Sequence, residues 1–383
     1  MVQLPKLSRR ARWAVPAGAL VVTGGVLAGS LISVAQAAPG LPARTPAQLL
    51  VQVADSAAPP LTGTVVETAS FGLPRLPGNQ DPTSLASLLT GSHTVRVWYS
   101  GPRRFRLAVP EPLSESDVFR DGSTAWLWRS TANSVTEFSL PAGHATPASP
   151  PVPALTPQQA AQQVLAVVGK TTVVSVDRNA VVAGRAAYEL VLAPRDSRSL
   201  VGQVQIAIDG QNAVPLRLQV FARGAGSPAF QVGYTFIRFV APSPGDVSFT
   251  PPSGAKLTKV NLAGGDRAAP GSGNADVSAF GSGWLTVLDL PSSGLTAEAS
   301  PDGGPVSIGN APGDSAAMIN ALLKSATTVS GTWGRGRLLR TSLISALITG
   351  NGRMFVGAVQ PSVLYAAAAQ AAAAPASSPS ATP

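Results

Sequence analysis

The chain of 383 residues contains no cysteine. That excludes disulfides, thiolate-ligated zinc, a thiol nucleophile and a lipidated N-terminal cysteine together. Only two histidines occur, His93 and His144, too few for a histidine-rich metal site. His93 opens a strand pattern, His144 falls in a Pro-rich loop, and both read as solvated. Charged residues make up 12%, well below the usual quarter. Aromatics are 5%, so each is easy to follow, and 45% hydrophobic residues suffice for one large core or two smaller ones.

Part of the formal charge of +9 lies at the start of the chain. Lys6, Arg9, Arg10 and Arg12 precede any acid; without them, 24 basic residues face 19 acidic ones. The densest remaining group, Arg103, Arg104 and Arg106, is divided between the two sides of a strand. No continuous basic stripe exists, so nucleic acid is not an expected partner.

After the basic residues 1–12, residues 14–34 (AVPAGALVVTGGVLAGSLISV) carry no charge, and Ala35-Gln36-Ala37 precedes Ala38-Pro39. Basic, apolar and Ala-x-Ala in that order is a secretory signal peptide, with cleavage expected after Ala37. The alternative is an uncleaved anchor over residues 14–34, long enough to span a bilayer. Either reading puts the remainder outside the cytoplasm, in the periplasm or cell-envelope space.

The pattern then predicts an α+β chain. Thr45 and Pro46 start a short helix over 46–54 with Leu49, Leu50 and Val53 on one face. Strand signals follow at Leu61–Ser70, His93–Ser100, Arg103–Val109 and around the Trp126-x-Trp128 pair, with Asp121-Gly122 as a hairpin turn. A Pro-rich loop over 141–155 leads to a helix at 157–168, capped by Thr156 and stopped by Gly169, whose stripe is Val164, Leu165 and Val168. Further strands are expected at 171–177, 185–193, 201–209, 214–223 and 230–240. Residues 261–282 read as a linker and 283–366 as a small α+β domain, with a strand at 284–290, a helix at 316–324 and a hairpin about Asn351-Gly352. Residues 367–383 are expected to be a disordered Ala/Pro/Ser tail.

The order of these pieces resembles the LolA/RseB (MucB-like) superfamily of envelope lipoprotein carriers and sigma-factor regulatory proteins. The carrying segments are LTGTVVETAS, VWYSGPRRFRLAV, DVFRDGSTAWLWRSTANSVTEF, TPQQAAQQVLAVVG, VAGRAAYELVLAPRDSRSLVGQVQIAIDGQNAVPLRLQVFA and FTPPSGA, across about residues 45–260. The resemblance implies a curved antiparallel sheet, an incomplete half barrel over residues 38–260, with helices covering its concave face around an apolar cavity. The ligand it implies is a lipid or lipoprotein acyl chain. The regulatory branch implies instead a membrane-protein partner such as an anti-sigma factor. A structural envelope module without ligand is the third possibility.

Acyl chains are held by burial of area, roughly 25 cal/mol per Å², so such a cavity needs no polar network and no catalytic group. The candidate wall is Trp98, Phe105, Trp126, Trp128, Tyr188, Phe221, Tyr234 and Phe236, with Val164, Leu165 and Val168 on the lid. The same aromatics serve equally as ordinary core residues. Trp98 is out of phase with Val95, Val97 and Tyr99, so at most one of these sets faces a cavity. No catalytic motif is present: there is no nucleophile elbow, zinc-protease helix, phosphate loop or dinucleotide motif. Glu111 and Glu115, flanking Pro112, are the nearest approach to a carboxylate pair. Neither an enzyme nor a cofactor or metal site is expected.

Overall fold

The computed structural model of the chain describes residues 41–72, 90–140, 170–262, 277–291 and 325–373. The expected signal segment, the helix at 157–168 and the helix at 316–324 lie outside these residues.

Helix α1 (Pro46–Asp55) begins with a reciprocal cap. Thr45 Oγ1 accepts from the Gln48 backbone N–H at 3.3 Å, and Gln48 Oε1 accepts from the Thr45 N–H at 2.8 Å. Leu49 and Val53, one helical turn apart, are buried to 0% and 1% exposure. Such side chains contribute roughly 1.5–3 kcal/mol each when fully buried.

Twelve strands follow: β1 (Leu61–Ser70), β2 (Thr90–Gly101), β3 (Arg104–Pro110), β4 (Glu115–Asp121), β5 (Thr124–Arg129), β6 (Ser134–Ser139), β7 (Thr172–Val182), β8 (Arg185–Pro194), β9 (Val201–Asp209), β10 (Pro215–Ala222), β11 (Pro228–Arg238) and β12 (Lys256–Asn261). They form one sheet in the order β12-β6-β5-β4-β3-β2-β1-β11-β10-β9-β8-β7. The local logic is simple. Strands β2–β6 are one meander and β7–β11 another, and β1 joins them by pairing with β2 on one side and β11 on the other. All these pairings are antiparallel. Strand β12 returns to lie parallel on β6, a strand the sequence pattern does not reveal.

The sheet curls without closing. In a flat sheet β7 and β11 would stand four strand spacings apart, roughly 19 Å. Their Cα atoms instead come within 8 Å. Strands β12 and β7 remain its two edges. The expected curved antiparallel sheet is therefore present. The expected covering of a concave face by helices is not seen among the described residues; α1 packs Leu49 and Val53 into the core of this sheet.

A second sheet holds β13 (Ser278–Phe280), β14 (Val287–Pro291), β15 (Thr327–Gly331), β16 (Gly334–Arg340), β17 (Ser345–Thr349) and β18 (Arg353–Gly357), in the order β13-β14-β18-β17-β16-β15. Helix α2 (Pro361–Ala373) covers one face, burying Leu364, Ala367 and Ala368 against Val287, Leu347 and Phe355. The residues ahead of the Asn351-Gly352 turn form two strands, β16 and β17. Thr341 Oγ1 accepts from the Ile344 N–H at 2.9 Å and the Leu343 N–H at 3.3 Å, which turns the chain between β16 and β17.

The two sheets touch at several points. Leu343, in that turn, is 6% exposed and belongs to the core of the first sheet, and the Ser342 N–H donates to the Phe71 carbonyl at 3.0 Å. Trp284 Nε1 donates to Thr172 Oγ1 at 2.7 Å. The turn after β8 is held by Arg223, which donates to the carbonyls of Asp196, Ser199 and Val201. That turn bonds in turn to Ala358 and Gln360.

Candidate functional site

Strand register divides the first sheet into two unlike faces. Cross-strand partners share a face, so the division follows from the pairing alone. One face carries Leu61 and Val65 (β1), Val95, Val97 and Tyr99 (β2), Phe105 and Leu107 (β3), Val118 (β4) and Leu127 (β5). It continues through Val232 and Tyr234 (β11), Leu218 (β10), Ile206 (β9) and Leu190 (β8). Nearly all belong to one hydrophobic core, which also takes in Leu49 and Val53 of α1. This is the inner face.

Of the candidate wall residues, register places Phe105, Tyr188 and Tyr234 on the inner face. Tyr188 is 2% exposed; its hydroxyl donates to the Pro42 carbonyl at 2.8 Å and Arg44 lies over its ring. Tyr234 packs on Gly63, and burial pushes its hydroxyl well above the usual tyrosine range, with the neighbouring Tyr99 adding to the shift. Phe105 stands opposite Tyr99, and both are half-buried.

Trp98, Trp126, Trp128, Phe221 and Phe236 point to the outer face. There Arg106 lies over the Trp98 ring at 4.7 Å and the Phe119 ring at 5.1 Å, and bonds to Asp117 at 2.6 Å and Glu115 at 3.2 Å. Phe249 stacks on Phe119 at 4.6 Å and reaches Trp126 at 6.0 Å, while Trp126 Nε1 donates to Glu137 at 3.3 Å. Phe236 is 51% exposed. The eight aromatics are thus not brought together. Val164, Leu165 and Val168 lie outside the described residues.

The inner face is not evenly packed. Across β8–β11, Leu190, Leu192, Ile206, Ile208 and Leu216 are at most 1% exposed. Toward β2–β6, Tyr99, Phe105, Val109 and Phe138 stay half-buried while touching the same core. At the other end of β2 the face turns polar. His93 is 3% exposed, standing directly opposite Glu67, which is 6% exposed. Neither imidazole nitrogen has a hydrogen-bond partner, and desolvation lowers the ring's pKa to about 3. The expectation of a solvated His93 is therefore corrected. The signal is its position two residues before Val95, in phase with the buried side of β2.

Asp117, on the strand that leads to the Asp121-Gly122 turn, is a second buried polar group. Its carboxyl is 1% exposed, and burial raises its pKa to about 7. Desolvation outweighs the Arg106 guanidinium, and the charge of Glu115 adds to the rise. Asp117 Oδ1 and the Nε1 of Trp128, directly across on β5, are buried without partners. Glu111 and Glu115 engage separate partners, Ser114 and Arg106. Ser243 and Asp246 bond at 2.7 Å as the cap of a 3-10 turn. Among the described residues no group of three His, Asp or Glu side chains is placed to hold a metal. No described helix is long and apolar enough to cross a membrane. A cleft of about 190 Å³ between the sheets, lined by Thr171, Asp196 and Trp284, is below the roughly 300–1,000 Å³ of small-molecule pockets.

No family model and no curated protein matches the chain. Solved structures do. The MucA/MucB complex of Pseudomonas aeruginosa is 12% identical, with a TM-score of 0.41, over 84% of this chain and 96% of that one. A LolA superfamily protein of Nitrosomonas europaea is 12% identical, with a TM-score of 0.22, over 54% of this chain and 99% of that one. An uncharacterized conserved protein of Thermus thermophilus is 13% identical, with a TM-score of 0.32, over 56% and 98%. The chain is similar to MucB- and LolA-type structures.

Proposed function

We propose that the protein is exported to the cell envelope and binds the acyl chain of a lipid or lipoprotein on the inner face of its first sheet. One observation carries the reading. A curled, unclosed sheet presents a largely apolar face, and toward β2–β6 Tyr99, Phe105, Val109 and Phe138 are left half-buried beside the buried Val97, Leu107, Val118 and Leu127. Apolar area held this way supplies affinity through burial, with low demand on ligand shape. The basic, apolar, Ala-x-Ala order of residues 1–37 supports export. No step of covalent chemistry is assigned.

The test is titration of the purified protein with a fluorescent fatty acid, followed by displacement with unlabelled lipid. Saturable uptake, displaced by lipid and weakened by a charge at Phe105, is the expected result. A folded protein that takes up none contradicts the reading.

A second reading has its own support. The second sheet places Leu343 in the core of the first, so a partner on one sheet would feel the occupancy of the other. This suits a regulator that binds a membrane protein, such as an anti-sigma factor, in response to lipid. Its test is capture of a defined membrane partner whose affinity changes when acyl ligand is added.

A further inference from the structure

Burying an imidazole with both nitrogens unpartnered forfeits the hydrogen bonds it makes to water, and such a group calls for an explanation. His93 is this case, and its place is specific. It lies on the inner face in line with Val95 and Val97, opposite the Glu67 carboxyl and next to the exposed sheet end at Gly91 and Ser92. Beyond it the face is apolar along β2 for six residues to Tyr99, about 20 Å at 3.3 Å per residue. The turn carrying Ser342 and Leu343 docks at the same end of β1, through the Phe71 carbonyl.

We infer that His93, beside Glu67, is the polar anchor for the head of the acyl ligand, and that this head is an uncharged group bearing neighbouring hydroxyls, of the acylglycerol class. The inference rests on the acyl-binding reading above. A neutral imidazole offers one N–H donor and one lone-pair acceptor on different ring edges. Two adjacent hydroxyls supply an acceptor for the first and a donor for the second. An ionised fatty acid brings only acceptors, and an ester end brings no donor. With the head at the sheet end, the tail is directed along β2 toward the half-buried Tyr99 and Phe105.

The experiment compares a monoacylglycerol with the methyl ester of the same fatty acid, both binding to purified full-length protein. Wild type is expected to prefer the monoacylglycerol by about tenfold, the worth of one net hydrogen bond. His93→Leu should bind both lipids alike, at the affinity of the ester. His93→Gln, which keeps a donor and an acceptor, should retain part of the preference. In wild type the imidazole NMR signals that are absent from His93→Gln should shift on adding the monoacylglycerol and stay put with the ester. Binding of both lipids without preference, or an undiminished preference in His93→Leu, overturns the anchor alone. Failure of wild type to bind either lipid sinks the acyl-binding reading, and the anchor with it.

Discussion

Tyr234 lies so close over Gly63 that a Cβ added to the glycine would meet the Tyr234 Cε1 at 2.8 Å and the Phe236 carbonyl oxygen at 2.9 Å. The contact sits where β1 pairs with β11 and the register shifts by one residue between Thr64 and Val65. It joins the two meanders at the centre of the sheet, and Gly63 is there because no side chain fits under the ring.

Gly63→Ala should therefore destabilise the protein by about 1–3 kcal/mol, the usual range for overpacking a close contact. Chemical denaturation reads this as a lower midpoint at unchanged slope. A variant as stable as wild type would show that the ring moves aside freely.

The division of aromatics between the faces makes a second prediction. Phe105→Asp should weaken fatty-acid uptake by about tenfold or more, on the order of the apolar area it removes. Trp128→Ala, on the outer face, should leave uptake unchanged. Equal losses in both variants would contradict an inner-face ligand.

His93 and Asp117 set opposite dependences on pH. The folded His93 pKa is depressed to about 3 from 6.5, so below pH 6.5 the unfolded chain takes up a proton that the folded chain refuses. Stability is lost as pH falls from 6.5 toward 3, and His93→Leu should remove that loss. The folded Asp117 pKa is raised to about 7 from 3.8, so between those values the folded chain holds a proton that the unfolded chain has released. Stability from this group is present below pH 3.8 and is lost as pH rises toward 7, and Asp117→Asn should flatten that decline. Thermal melts of wild type and both variants between about pH 4 and 8 check each sign.

Docking of the second sheet depends on Leu343 entering the first core. Leu343→Asp buries an unpaired charge and should release the second sheet, splitting unfolding into two transitions and enlarging the particle in small-angle scattering. A single transition with unchanged dimensions would mean that Trp284 and the turn held by Arg223 suffice.

Much of the first sheet is legible in the sequence because its strands alternate cleanly. Val204, Ile206 and Ile208 stand in phase, and Asp209-Gly210 turns the chain as expected, with Asp209 Oδ1 accepting from the N–H groups of Gln211 and Asn212. Pairing is a different matter. Nothing local tells β1 to pair with β11, far along the chain, or β12 to lie parallel on β6. Period-2 alternation separates Trp98 from Tyr99, yet it does not say which side the core takes; only the assembled register moves five of the eight candidate aromatics outward. The burial of His93 is hidden for the same reason. It comes from the tertiary fold, and a polar residue in phase with Val95 and Val97 is the only trace the sequence holds.

Native mass spectrometry of the purified protein beginning near Ala38, with extraction and identification of whatever it carries, tests acyl binding most directly. One lipid or acylated peptide per chain, lost in Phe105→Asp, is the predicted result. A folded chain that is empty as purified and takes up no added fatty acid would contradict the account.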